Sequence, residues 1–382
     1  MDGFIHTISF VTNISTNDLE MLKDAYKEIF YCDEKKVHVL GKYSDRGLRI
    51  EIKNRDKEKE IKFDKKHCQK KVTMIFTIYK LLHNGRRMGA VYNKEDIIAC
   101  VSQMFTLLKE INDQSGVDLY HDAKLRRVDV TCDVITPSEE YTKEIIRIAK
   151  MAMLPYGYKF WQPEKNTNCN SKWTDDNAIF FNNHNREIEA KVYNKKADLG
   201  ASDLPENMEE KGLVRFELTL KRGFLKKHGY IMADTMNPNQ LARMLMDITG
   251  ETKQLLGEYV GNILTNGEML SKKILFKYIE RKYKGKSKRI EKMKHYVEIL
   301  NNKGYDRISE YGSVNEVNTV EKYFVELGVS PIYTKKECPY IPSFERMFKG
   351  EVDRNYLNMA EKYNTKRQYT YVYWYVCNFE KK

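Results

Sequence analysis

The sequence predicts an α+β fold, with an antiparallel-sheet domain followed by a smaller, basic, mainly helical domain. Three observations carry this expectation. Stretches of alternating polarity recur between Phe4 and Lys221, as strands with one buried face require. Amphipathic stretches with capping residues fall between them. Beyond Gly267 the alternation gives way to lysine-rich helical periodicity, which places a boundary between residues 1–267 and 268–382.

The elements follow in order. Phe4–Asn13 alternates as a strand, and Ser15 with Asp18 has the form of a capping box opening a helix through Phe30. Strands are expected at Val37–Leu40, Leu48–Ile52 and Val72–Ile78. The connection from Asn54 to Lys71 carries both signs of charge and reads as a solvated turn region. Asn93 caps a helix, Lys94–Asn112, with Ile97, Val101, Phe105 and Leu108 on one face. A strand at Arg126–Ile135 leads to a second helix start, with Thr136 as cap, Pro137 in the first turn and Glu139 closing the box. The polar stretch Tyr156–Asp175 reads as a long loop near the site. Strands at Ala178–Asn194, turning at Asn182–Asn185, and at Leu213–Leu220 are separated by a polar loop with Gly200 and Pro205. Helices begin at Pro238. Lys292–Asn301, a turn at Gly304 and Val314–Leu327 have the proportions of a helix-turn-helix pair, a form shared by DNA readers and by cores that touch no DNA. Gln368–Phe379 carries Tyr369, Tyr371, Tyr373, Trp374 and Tyr375, suited either to an edge strand or to stacking on unpaired bases.

At 382 residues and 41% apolar content the chain can bury a full core and is not a disordered tail. No stretch approaches 18 uncharged apolar residues, and Met1-Asp2-Gly3-Phe4 lacks a signal-peptide pattern, so a soluble, cytoplasmic protein away from membranes is expected. The seven cysteines are scattered without a C-x-x-C pair and read as reduced thiols. The net charge of +12 is unevenly distributed. Eleven basic residues lie between Lys272 and Lys294 (Lys272, Lys273, Lys277, Arg281, Lys282, Lys284, Lys286, Lys288, Arg289, Lys292, Lys294) against two acids, Glu280 and Glu291. Such a local excess is the electrostatic footprint of a phosphate-binding surface.

Chemistry-bearing residues appear at alternate positions. In Arg127–Asp133, residues Arg127, Asp129, Thr131 and Asp133 oppose Val128, Val130 and Cys132. In Arg215–Lys221, residues Arg215, Glu217, Thr219 and Lys221 oppose Phe216, Leu218 and Leu220, and in the strand before them Glu187, Glu189, Lys191, Tyr193 and Lys195 share one parity. This alternation also suits the solvent face of an antiparallel sheet. The mixture of types adds a chemical reading: two aspartates and a glutamate can hold a hard divalent cation, and a tyrosine beside lysines can become a nucleophile toward phosphorus.

The strings R-V-D-V-T-C-D (127–133), K-V-Y-N-K-K (191–196) and R-F-E-L-T-L-K-R (215–222), in this order, resemble the Rep_trans family of rolling-circle plasmid initiators and, more loosely, the gene II-type initiators of filamentous phages. The resemblance spans roughly residues 120–230. It implies that Tyr193 is the nucleophile and that Asp129, Asp133 and Glu217 match the family's acids; Glu189, which shares parity with Tyr193, is a fourth metal candidate on position alone. The implied reaction nicks one strand, leaving a 5′-phosphotyrosine and a free 3′-hydroxyl, with Mg²⁺ or Mn²⁺ as cofactor and Arg215, Lys195 and Lys221 beside the phosphate. Single- and double-stranded origin DNA, a host helicase and a DNA polymerase are the implied partners. No His-hydrophobic-His pair exists among the eight histidines, which argues against a histidine-pair metal site. His184, in the turn before the tyrosine strand, is either near the site or solvated. A relaxase for plasmid or conjugative transfer, a DNA-binding regulator without catalysis, and a homodimeric state stay open on residues alone.

Overall fold

The computed structural model describes residues 4–27, 29–32, 37–54, 70–82, 93–160, 177–199, 211–231, 237–264, 267–338 and 340–349. The first half runs β1 (Phe4–Ile14), α1 (Thr16–Ala25), β2 (Ile29–Cys32), β3 (Val37–Leu40), β4 (Leu48–Asn54), β5 (Lys70–Thr77), α2 (Ile78–Leu82), α3 (Lys94–Ser115), β6 (Lys124–Thr136), α4 (Glu139–Lys150) and β7 (Tyr158–Phe160). It continues with β8 (Ala178–Asn183), β9 (Ile188–Asn194), α5 (Lys195–Asp198), β10 (Gly212–Lys221), α6 (Arg222–Lys227), α7 (Pro238–Leu256) and α8 (Asn262–Leu264). After β11 (Met269–Leu270) come α9 (Lys272–Lys282), α10 (Ser287–Lys303), α11 (Val314–Leu327), β12 (Tyr340–Ile341) and α12 (Phe344–Lys349).

Ten strands form one antiparallel sheet in the order β2, β3, β4, β5, β1, β6, β10, β9, β8, β7. The expected α+β architecture is thus present. Its spine is β6, thirteen residues long, which pairs with β1 on one side and β10 on the other. One face is apolar: Val128, Val130, Cys132, Val214, Phe216, Leu218 and Leu220 are buried there. Helix α3 packs on α7, and α7 lies against β1, β6 and β10. The rings of Phe344 and Phe348 on α12 stand 5.3 and 4.9 Å from Phe216, so the last described helix returns to the sheet. The apolar core therefore runs without a break from the sheet into the helices.

Several expected boundaries move for identifiable reasons. Helix α1 stops at Ala25, because Tyr26 takes an extended conformation and buries its ring against Tyr43, and Ile29–Cys32 pairs with β3 as a strand. The capping box at Ser15 and Asp18 is present as expected. Thr136 stays in β6 and Ser138 is the N-cap of α4. The Thr136 hydroxyl instead donates to the Ser138 carbonyl at 2.8 Å and meets Thr142, leaving room only for glycine opposite: a Cβ at Gly212 would lie 2.2 Å from the Thr142 hydroxyl oxygen. Between α10 and α11 lie ten residues, six of them in a 3-10 turn at Tyr305–Glu310, in place of the short turn of a helix-turn-helix. Most of Asn54–Lys71 and of Tyr156–Asp175, the loop with Gly200 and Pro205, and all of Gln368–Phe379 lie outside the described residues.

Phe216→Ala should lower stability by about 3–5 kcal/mol, the cost of emptying an aromatic site in a closed core. Urea denaturation of the variant checks this. A loss under about 1 kcal/mol would mean that α12 does not close the sheet.

Candidate active site

The antiparallel register sets the polar residues into rows across β6, β10 and β9. Asp133, Arg215 and Tyr193 stand opposite one another in the first row, and Thr131, Glu217 and Lys191 in the second. Asp129, Thr219 and Glu189 form the third, and Arg127 and Lys221 the fourth. This face is closed to solvent at its centre: Asp129, Asp133, Arg215, Glu217, Tyr193 and Lys195 are each at most 7% exposed. A solvated sheet face is therefore ruled out for these positions, and buried charge of this kind must be paired.

The pairing is nearly complete. Arg215 donates from Nε and Nη2 to both carboxylate oxygens of Asp133, at 2.5 and 2.6 Å. Lys191 pairs with Glu217, Lys195 with Asp198, and Lys221 with Glu189 at 2.5 Å. Arg127 lies 3.4 Å from Asp129. Among the described residues, Arg215 Nη1, Thr131 Oγ1 and Asp129 Oδ1 are buried without a hydrogen-bond partner. A guanidinium with one uncommitted donor in a dry site is a ready contact for a phosphoryl oxygen.

The Tyr193 hydroxyl donates to Glu217 Oε2 at 3.3 Å, and Lys195 Nζ sits 5.9 Å from the ring centre. Burial and the Glu217 charge hold the phenol well above its ordinary pKa, outweighing Arg215. Glu217 is held down to about 2: burial works against its charge, and Lys191, then His6, outweigh burial. Asp129 is shifted up by burial despite Arg127. Burial and Arg215 lower Lys195, whereas Lys191 is raised because Glu217 and Asp129 overcome burial.

Not all expected site residues converge. Lys195 is not on the strand; it opens α5, where Asn194 caps the turn through a bond from the Ala197 N–H, and it returns to the site from there. Glu189 and Lys221 lie toward the far end of the rows, four residues from Tyr193 and six from Arg215, which is about 13 and 20 Å along a strand. His184 sits in the β8–β9 turn. His6, in contrast, joins the site. Ile5 pairs with Val130 and Thr7 with Asp129, so His6 is the extra residue of a β-bulge. Its Nδ1 lies 2.9 Å from the Thr7 hydroxyl. Burial and the charges of Arg215, Lys195 and Lys191 lower its pKa to about 3, against an opposing effect of Glu217.

The donors present do not make a ready site for Mg²⁺ or Mn²⁺. Asp133 is occupied by Arg215, Glu217 by Lys191 and Glu189 by Lys221. Among the described residues no three His, Cys, Asp or Glu side chains converge as ligands.

The basic residues form a second feature. A turn at Gly285, with φ +84°, divides them between α9 and α10. Lys272, Lys292 and Lys294 pair with Glu298, Glu316 and Glu280. Arg289 lies over the rings of Tyr283 and Tyr323. Lys273, Lys277, Arg281, Lys282, Lys284, Lys286 and Lys288 are exposed. No helix among the described residues is long and apolar enough to cross a membrane.

Residues 83–239 match the model of the Phage_CRI family, described as the N-terminal part of the gene II replication-associated protein. This span contains β6 through β10 and, apart from His6, every residue of the polar rows named above. No curated protein sequence matches the chain.

The His6 shift has a consequence for stability. As pH falls below 6.5, the unfolded imidazole binds a proton that the folded one refuses down to about 3, so stability drops across that window. His6→Gln should flatten the dependence of unfolding free energy on pH between those limits. An unchanged slope in a pH series of urea titrations would show that the imidazole is charged in the fold.

Proposed function

We propose that the protein is a phage-type rolling-circle replication initiator that nicks one strand of origin DNA through Tyr193. The observation that carries the reading is the uncommitted Nη1 of Arg215, opposite Tyr193 in a closed polar face, within a segment similar to a phage replication-associated family. The phage match favours the gene II-type side of the resemblance over the plasmid type.

In this reading DNA reaches Tyr193 only when the groups packed around the phenol move aside, because the phenol is 5% exposed. The entering phosphate then competes for Lys191 and takes the free donor of Arg215. Loss of Lys191 removes the main cause of the low Glu217 pKa, so the carboxylate becomes a base able to draw the phenolic proton. Tyr193 Oη bonds to phosphorus as the bond from phosphorus to the 3′ oxygen breaks. The 3′ oxygen leaves protonated, which balances the proton given up by the phenol. The products are a 5′-phosphotyrosine and a 3′-hydroxyl that a host polymerase can extend behind a host helicase. Lys195 stabilises the phosphoryl charge from the α5 side. No step here runs through a metal. Cleavage assays in chelator, followed by addition of Mg²⁺ or Mn²⁺, separate side-chain chemistry from ion-dependent chemistry.

The burial of Tyr193 favours a second reading, in which the paired charges are an internal structural layer and the protein binds DNA without cutting it. Incubation with single-stranded origin DNA, followed by a denaturing gel and peptide mapping, decides between them. Tyr193→Phe should abolish the covalent adduct and leave DNA affinity within about twofold, since one oxygen is lost and the ring kept. An adduct that persists, mapped to the fully exposed Tyr156 or another tyrosine, would remove Tyr193 from the role.

The exposed lysines should supply sequence-independent affinity. Each phosphate contact contributes about 0.9 to the slope of log affinity against log salt. Replacing Lys284, Lys286 and Lys288 with Gln should flatten the slope on random duplex by up to about 2.7. Salt titration by fluorescence anisotropy measures this, and an unchanged slope would place DNA elsewhere.

A further inference from the structure

We infer that α11 is the element that reads duplex sequence, laying its outer face into the major groove of an origin segment containing A·T pairs. This rests on the origin-binding reading above and adds the side chains that recognise bases. Helix α11 buries Val317, Val320, Phe324 and Leu327. On the opposite side Asn315, Asn318, Thr319 and Lys322, spaced i, i+3, i+4, i+7, are all exposed and share one face. Val314 and Val325, 74% and 61% exposed, extend it at either end.

The chemistry of this stripe suits base edges. An Asn amide matches the N6 donor and N7 acceptor of adenine, threonine and valine methyls pack on the thymine methyl, and Lys can donate to guanine. An ordinary solvated helix face would leave its charges unpaired, but the three acids of α11, of which Glu316 and Glu326 are exposed, each have a partner on the helix cap or on the α9–α10 stretch. Glu316 closes the capping box with Ser313 and meets Lys292 at 3.8 Å. Glu321 accepts from the Tyr296 hydroxyl at 2.7 Å, and Glu326 from the Tyr283 hydroxyl at 3.2 Å.

A grip on phosphate lies alongside. Arg289 stacks 4.1 Å from the Tyr323 ring centre and Lys292 reaches Glu316, so the basic edge of α10 runs beside α11. Lys284, Lys286 and Lys288 precede that edge and are exposed. Phosphate contacts fix position while base contacts carry sequence. Fourteen residues span about 21 Å, enough to cross a major groove about 12 Å wide.

The test uses the full chain and a duplex enriched on it from a random pool. Asn315→Ala with Asn318→Ala should weaken binding to the enriched duplex by about tenfold or more, the scale of losing a good base contact, with random-duplex affinity and salt slope unchanged. Replacing adenines of the enriched site with 7-deazaadenine, which lacks the N7 acceptor, should reproduce the loss in the parent protein. Both residues are exposed, and circular dichroism melting confirms the fold. The inference is overturned if the double variant keeps full preference, if 7-deazaadenine has no effect, or if no sequence enriches although duplex still binds with a steep salt slope. That last result would leave the initiator reading standing. Failure to bind any DNA would overturn both. Conversion of a dimer to a monomer by the double variant, seen in sedimentation, would assign the face to a second copy of the chain.

Discussion

Arg215 and Asp133 oppose each other on β10 and β6, and their two hydrogen bonds lie where neither side chain is more than 7% exposed. Removing water from two charges is expensive, and such a pair holds only where the geometry is good. Its value lies in what it forbids. A one-residue slip between β6 and β10 would turn Arg215 and Glu217 into the apolar core and Phe216 and Leu218 onto the polar face. With the register fixed, Glu217 falls opposite Lys191, and Tyr193 stands next to Arg215. The rest of the site follows from that alignment.

Opposite charges then alternate through the rows, and each group takes its state from its neighbours. Glu217 is a strong acid because of Lys191, and the same ion pair leaves it a poor acceptor for the Tyr193 proton. His6 is neutral because burial and three cations surround it. In the proposed reading, the singly charged phosphodiester of a DNA strand is the kind of group that would disturb this layer, since it competes for the same cations.

The legible part of this layer was its parity. Polar and apolar positions on β6, β9 and β10 separate in the sequence as they do in the fold, because a strand has a strict period of two. Strand order was not legible, since β10 inserts between β6 and β9 through long-range pairing. His6 was hidden for a sharper reason. Alternation groups it with Phe4, Ile8 and Phe10, yet the apolar core takes Ile5, Ile8 and Phe10 while Phe4 pairs with Thr131 of the polar row, a spacing broken by the bulge. A bulge leaves no residue signature when no glycine marks it. Lys195 shares the parity of Tyr193 but leaves the strand through an asparagine cap, a turn signal present in Asn194 and outweighed by the lysine run. The metal expectation rested on carboxylates at alternate strand positions and on the resemblance, and neither reveals that Glu217, Asp133 and Glu189 each face a cation. The capping box of α1, by contrast, is local and was readable from Ser15 and Asp18 alone.

The helical region is not an appendage to this site. Glu144 on α4, 2% exposed, accepts from Arg147 and from the Lys335 N–H, and Arg147 donates to the Tyr333 carbonyl. These bonds join the helix that follows β6 to the chain that follows α11. Helix α12 then stacks on Phe216, the neighbour of both Arg215 and Glu217 in β10. A buried carboxylate left without its arginine, or an emptied aromatic core, would each cost several kcal/mol. Helices α9 to α11 are thus anchored to the strands that carry the polar rows. If the proposed reading holds, DNA on the helices and a strand at Tyr193 would be positioned by one continuous core.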